Sequence, residues 1–225
     1  MSHSVGQHLR LDIRDYDRLI RTFIPGYEAM LDHAAAAVAA VAPLRGLDLG
    51  AGTGALSERV LEQTAATVVE LWDVDPEMLG VAHERLARFG DRCQYLHRAF
   101  QEPFPACDVV MASLALHHIR DLADKTRLYR RACDSLGAGG VLVNADITMP
   151  TDEGLRQATY RAWADHQVAS GIAEDQAWAH FEAWSGEDRY FSVEEELAAL
   201  TAAGFQSTCA WRLGPATVTV GTKPR

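Results

Sequence analysis

Lysine is almost missing from this chain: Lys125 and Lys223 are the two it has among 225 residues. The glycine-rich stretch at 48–54 therefore lacks the lysine of a phosphate-gripping P-loop, and no Tyr-x-x-x-Lys pair of a short-chain reductase occurs. Positive charge is short throughout. Twenty-one Lys and Arg against 31 Asp and Glu leave a net charge of −10 and an isoelectric point near 5.3. A surface that neutralises phosphates needs clustered cations, so this balance argues against nucleic acid and against an anionic membrane as partners. Cysteine is sparse and scattered. Cys93, Cys107, Cys133 and Cys209 form no C-x-x-C, which excludes a zinc cage or redox pair built on that spacing and fits reduced thiols in a cytoplasmic protein. The longest apolar run, Ala34 to Leu44, falls far short of the roughly 20 residues that span a bilayer and reads as a buried helix. Asp12, Asp15 and Asp17 stand where an export signal needs apolar residues.

What is present suits one folded domain, with 48% apolar residues over a length that can hide a large core. Helix and strand patterns alternate. Helices are expected over Asp12–Phe23 and Tyr27–Val41, with a Pro25-Gly26 turn between them. Strands follow at Leu44–Leu49, Thr67–Asp73, Cys93–Arg98, Asp108–Leu114 and Val141–Ile147. Between them lie helices at Ala55–Gln63, Asp75–Phe89 and Asp121–Leu136, the second started by an Asp75 cap and Pro76. Thr151–Ser185 is helical and rich in Trp. Ser192 and Glu195 form a capping box for a helix that ends at Gly204. Phe205–Leu213 and Ala216–Thr222 are strands joined by Gly214-Pro215, a link so short that they must run antiparallel. The expectation is an α/β fold, a doubly wound seven-stranded sheet with a terminal antiparallel hairpin. Its parts are an N-terminal helical cap (1–42), a cofactor-binding core (43–150), a helical lid after the fifth strand (151–190) and a last helix with the hairpin (191–225).

The informative stretch is Asp48-Leu-Gly-Ala-Gly-Thr-Gly54, which follows a strand and opens a helix. Glycines there let backbone approach a ligand. Asp73 lies 21 residues past Gly52, at the end of the next strand, where a carboxylate can accept from both ribose hydroxyls. Gly50, Gly52 and Ala55 also satisfy the loose dinucleotide pattern, but the missing reductase pair, the hairpin and the two leading helices oppose it.

With Asp73-Val-Asp-Pro-Glu-Met78, Ser113-Leu-Ala-Leu-His-His-Ile119 and Leu136-Gly-Ala-Gly-Gly-Val141, the chain resembles the class I S-adenosylmethionine-dependent methyltransferases over nearly its full length. The resemblance implies a Rossmann-like fold and S-adenosyl-L-methionine as cofactor. It places Asp48 near the methionine end, Gly50 and Gly52 beneath the cofactor, Asp73 on the ribose, Met78 at the adenine face and Ser113 near the amino acid portion. The family's polar adenine contact is replaced by Ala99-Phe100, which leaves packing by Phe100 and backbone. Phe23-Ile-Pro-Gly-Tyr-Glu-Ala-Met30 is similar to the carboxy-S-adenosylmethionine synthase branch, and this implies a cofactor contact from Tyr27. A carboxylated cofactor needs a cationic partner, yet Ala162–Asp188 holds no Arg or Lys, which argues against that activity.

Substrates of open α/β sheets sit outside the carboxyl ends of the strands. His117 and His118 follow the fourth strand and Asp146 ends the fifth. His118 and Asp146 are the expected catalytic pair. Tyr16, His117, Trp163, His166 and Trp184 are the expected acceptor contacts. The expected reaction is methyl transfer to an O or N atom of a small neutral or cationic molecule, without metal, in the cytoplasm, with a homodimer left open. A cofactor- or tRNA-modifying relative and a silent cofactor-binding subunit are the alternatives.

Overall fold

The computed structural model describes residues 15–66 and 68–225. Asp12 to Arg14, at the start of the first expected helix, and Thr67, at the start of the second expected strand, lie outside the described residues. Helix α1 covers Tyr16–Phe23 and α2 covers Tyr27–Ala39. The core then alternates β1 (Arg45–Leu49), α3 (Ala55–Gln63), β2 (Val68–Asp73), α4 (Pro76–Leu86), β3 (Cys93–His97), β4 (Cys107–Ser113), α5 (Leu122–Ser135) and β5 (Leu136–Ile147). Next come α6 (Glu153–Ala169), α7 (Glu174–Trp184), α8 (Val193–Ala202), β6 (Gln206–Leu213) and β7 (Ala216–Thr222).

All seven strands form one sheet in the order β3-β2-β1-β4-β5-β7-β6. β1 to β5 are parallel, and β7 inserts antiparallel between β5 and β6. The doubly wound sheet with a terminal hairpin is thus the observed fold. Leu47, Leu49, Val109 to Ala112 and Val141 to Ile147 are buried, the near-continuous apolar run of strands covered on both faces. Edge strand β6 instead exposes most of its alternate residues. The carboxyl ends of β1, β2, β4 and β5 fall on one rim because their mutual pairing is parallel. That rim carries the site.

Local signals act as expected at two helix starts. Asp75 accepts from the Glu77 N–H at 3.0 Å, with Pro76 in the first turn of α4. Ser192 and Glu195 exchange side-chain and backbone bonds at 3.2 and 2.7 Å. Three boundaries differ. β5 begins at Leu136 rather than Val141, because Cys107 pairs with Leu136 and the Gly139 N–H donates to the Lys223 carbonyl at 3.0 Å. Tertiary pairing overrides the turn preference of the three glycines in 137–140. The helical reading of Thr151–Ser185 breaks at Gly171, whose φ of 95° ends α6 and separates it from α7. The helix from Asp75 stops at Leu86 and tightens into a 3-10 segment, Ala87–Arg92.

Candidate active site

The turn after β1 is shaped by positive φ angles at Gly50 (65°) and Gly52 (54°). Gly50 also has no room: a Cβ there would lie 2.6 Å from the Ala115 Cβ. Gly52 faces open space, where a Cβ would meet nothing within 4 Å. Its N–H donates to Asp73 Oδ2 at 2.8 Å, and the Asp75 N–H donates to Asp73 Oδ1 at 2.8 Å. Two backbone donors therefore fix the carboxylate while leaving further lone pairs toward the cavity. Burial raises the Asp73 carboxyl above its usual range, and these two bonds pull the other way. Asp73 lines a groove of about 1120 Å³ together with Gly50, Ala99, Phe100, Leu114 and His118. This groove is ready to hold a nucleoside.

A narrower lobe holds Tyr16, Tyr27, Asp48, Gly52, Met78 and Ser113. Asp48 is buried, accepts from Ser57 Oγ at 2.6 Å through Oδ2, and has no hydrogen-bond partner at Oδ1. Burial pushes its carboxyl up to about 7. A cationic amine is the partner that would relieve both the orphaned oxygen and the cost of ionisation. Tyr27 enters this lobe from the start of α2, and burial raises its phenol. α1 is clamped across the turn, because Asp17 accepts from Thr53 Oγ1 at 2.7 Å and pairs with Arg85 of α4.

A further cavity of about 80 Å³ lies between α1, the β4 and β5 ends and the segment from α6 to Tyr190. Ile20, Phe23, Ile147, Trp163 and Trp184 supply apolar walls. Tyr16, His117, His118, Glu187, Asp188 and Tyr190 supply the polar atoms. Trp163 Nε1 donates to the Phe23 carbonyl at 2.6 Å, and Phe23 meets Trp184 edge-on at 5.6 Å. Helices α6 and α7 are thereby pinned to α1. Leu114 lines all three spaces and holds φ at 49°, a conformation that costs a branched residue about 1–3 kcal/mol. Its N–H is tied to the Ala145 carbonyl at 2.8 Å.

Asp146 does not face the cavity. Its Oδ2 accepts from the His117 N–H at 3.0 Å, and its Oδ1 meets His117 Nδ1 at 2.6 Å and the Ile147 N–H at 2.8 Å. Burial works against its ionised form, but His117 outweighs this and holds the carboxyl below its usual range. Burial likewise works against a charged His117, yet Asp146 raises that imidazole. His118 lines both the groove and the cavity, and burial together with His117 lowers its imidazole. Asp188 meets His118 Nδ1 at 3.2 Å and accepts from the Tyr190 hydroxyl at 2.6 Å. Burial alone would raise Asp188, but those partners and His117 bring it down to about 2.

The expected cofactor residues converge: Tyr27, Asp48, Gly50, Gly52, Met78 and Ser113 around one lobe, Gly50, Asp73 and Phe100 around the groove. Met78 shares the lobe of Asp48 and not the stretch with Ala99 and Phe100. Of the expected acceptor contacts, Tyr16, His117, Trp163 and Trp184 meet at the cavity of about 80 Å³, but His166 is absent from its lining. Asp146 is bound to His117 and not to His118. Asp188, Tyr190 and Asp17 went unforeseen. Only the fold shows that Asp188 is buried.

Fold and site together define an α/β domain with a glycine turn after β1 and a buried acid at the end of β2. Residues 47–142 match the family described as a methyltransferase domain. Trans-aconitate 2-methyltransferase of Mycobacterium sp. (strain KMS) is 33% identical over 135 residues, which cover 57% of this chain and 50% of that protein. The chain spans about half the length of the curated relatives it matches. An O-methyltransferase family protein from Burkholderia thailandensis shares the fold with a TM-score of 0.72 at 18% identity, over 98% of this chain and 67% of that one. Human N-acetylserotonin methyltransferase in complex with S-adenosylmethionine does so at 0.65 and 17%, over 99% and 57%. Over residues 47–142 the chain is thus similar to methyltransferase domains, and its fold is shared with solved methyltransferases. Among the described residues, no helix is long and apolar enough to cross a membrane.

Proposed function

We propose that the chain transfers the methyl group of S-adenosylmethionine to an O or N atom of a small neutral or cationic molecule. One observation carries this reading: the cofactor lobe and the lidded cavity meet at Tyr16 and Leu114, so a sulfonium beside Asp48 and Ser113 would direct its methyl toward His118 and the Trp walls. Asp48 Oδ1 takes the cofactor's ammonium, Asp73 the ribose hydroxyls, and Phe100 packs near the base. Methyl transfer is an in-line displacement, and holding the acceptor in the line of the breaking C–S bond supplies up to about 7–11 kcal/mol of the acceleration. The acceptor's proton or developing charge is handled at His117, His118 and Asp188. Asp146 acts through His117, as a positioning residue.

The acidic cavity is the support for a neutral or cationic acceptor. Glu187 and Asp188 line it, and among the described residues neither Lys nor Arg does. The mycobacterial relatives are named for trans-aconitate; their match covers 57% of this chain, and that acceptor is not carried over. The test is calorimetry with S-adenosylhomocysteine, followed by turnover on paired acceptors, one neutral or cationic and one phosphorylated. Micromolar binding with preferred methylation of the uncharged or cationic compound is expected. Failure to bind, or preference for the phosphorylated compound, defeats the reading.

A further inference from the structure

Resting on that reading, we infer that His117, His118 and Asp188 form a binding site for one divalent transition-metal ion, which holds and ionises a hydroxyl group of the acceptor. The donor atoms of these three residues all lie within 4.8 Å of one another. Asp188 Oδ1 stands 3.7 Å from His117 Nε2 and 3.2 Å from His118 Nδ1. A metal about 2.0–2.2 Å from each donor needs donors roughly 3.0–3.4 Å apart, so modest side-chain closure completes the triangle.

The outer contacts are those of a metal site. The ionised Asp146 accepts from the His117 backbone and ring, which places the ring proton on Nδ1 and turns the Nε2 lone pair toward Asp188. A carboxylate behind a ligating imidazole is the usual way its tautomer and orientation are fixed. Tyr190 holds Asp188 in the same manner, donating to Oδ2 and leaving Oδ1 toward the histidines. Two imidazoles and one carboxylate on one side leave open positions, which suits manganese, iron, cobalt or zinc with substrate oxygen. The donors lie on the wall of the acceptor cavity, and His118 also borders the cofactor groove.

The chemistry balances without a redox partner. The acceptor hydroxyl binds the metal and releases its proton to water, because a bound cation lowers the pKa of an oxygen ligand. The metal-held oxygen attacks the methyl carbon as the C–S bond breaks, and the electron pair goes to sulfur. Ether, neutral S-adenosylhomocysteine and one released proton account for all atoms and charge. The metal also explains how an acidic cavity can serve an oxyanion in the transition state.

The experiment uses the full chain stripped with chelator and titrated with Co²⁺, read by visible absorption and by calorimetry. One equivalent is expected to bind, with d–d bands that report nitrogen and oxygen ligands. His118→Ala and Asp188→Asn should each lose the bands, and Asp146→Asn should weaken binding about 10–100-fold, as loss of an outer partner does. Asp73→Ala should lose S-adenosylhomocysteine affinity and keep the cobalt spectrum, so failure of the cofactor reading is visible separately. If stripped wild-type protein takes up no stoichiometric Co²⁺, a second proton on His117 fills the gap and the inference is overturned. It is equally overturned if folded His118→Ala, a half-exposed position, binds as wild type does.

Discussion

The two ends of the site are built on different terms. The cofactor end is made of backbone: Gly50 and Gly52 at positive φ, and an Asp73 carboxylate held by the N–H groups of Gly52 and Asp75. Its parts lie within about one βαβ unit. The acceptor end is made of side chains from α1, the β4 and β5 ends and the lid, brought together from Tyr16 to Tyr190. Backbone geometry is dictated by local residue types, whereas side-chain convergence depends on the whole sheet. The first end should therefore fail abruptly on single changes, and the second should fail by degrees.

Gly50→Val should give the largest effect. Its Cβ would strike Ala115, and its φ of 65° is poorly accessible to a branched residue, so both the turn and cofactor binding are lost. Circular dichroism with S-adenosylhomocysteine calorimetry checks this, and retained affinity would show that the turn has slack. Trp163→Ala comes next. It empties a fully buried site and orphans the Phe23 carbonyl, and such truncations cost about 3–5 kcal/mol in thermal or denaturant unfolding. Acceptor turnover should fall with it, while cofactor affinity in the folded fraction holds.

Asp73→Ala is expected to weaken S-adenosylhomocysteine by about 2–3 kcal/mol, the loss of charged hydrogen bonds to two hydroxyls. Unchanged affinity would remove Asp73 from the ribose. Asp48 gives a pH signature. Its native carboxyl sits at about 7, above the ordinary 3.8, so the native chain keeps a proton that the unfolded chain has lost between those values. The group's contribution to stability therefore falls as pH rises from about 4 to 7. A bound ammonium favours the ionised form, so affinity should climb about tenfold from pH 6 to above 7, and binding at pH 6 should release protons. Calorimetry in two buffers of different ionisation enthalpy reads that release, and Asp48→Asn should abolish it. The smallest effect belongs to His166→Ala. His166 is absent from the cavity lining, so turnover should stay within about twofold of wild type; a larger loss would mean that the lid repacks around the acceptor.

The same contrast governs what could be read in advance. The alternation of Asp75-Pro76 starts, apolar strands and the Ser192–Glu195 box made the doubly wound sheet and its hairpin legible, because each signal acts over a few residues. The glycine turn and the Asp73 carboxylate beside it were legible for the same reason. The early start of β5 had a distant cause, the pairing of Gly139 and Gly140 with Lys223. At the acceptor end, neighbours in sequence point differently: His117 turns its ring to Asp146, and His118 borders the groove. Trp163 and Trp184 were expected to touch the acceptor; they line the cavity beside the β4 and β5 ends and also pin α6 and α7 to α1.

The amino-acid sequence by itself determined the class of fold, the glycine turn and the carboxylates that serve it. Residue types there limit φ, ψ and hydrogen bonding directly, whatever lies beyond them. Tertiary structure alone decided which acids became buried and which imidazole each of them faces. Asp146 and Asp188 come from segments 42 residues apart, yet both converge on His117. Burial and charge at such a point come from packing between distant elements, which no local pattern encodes.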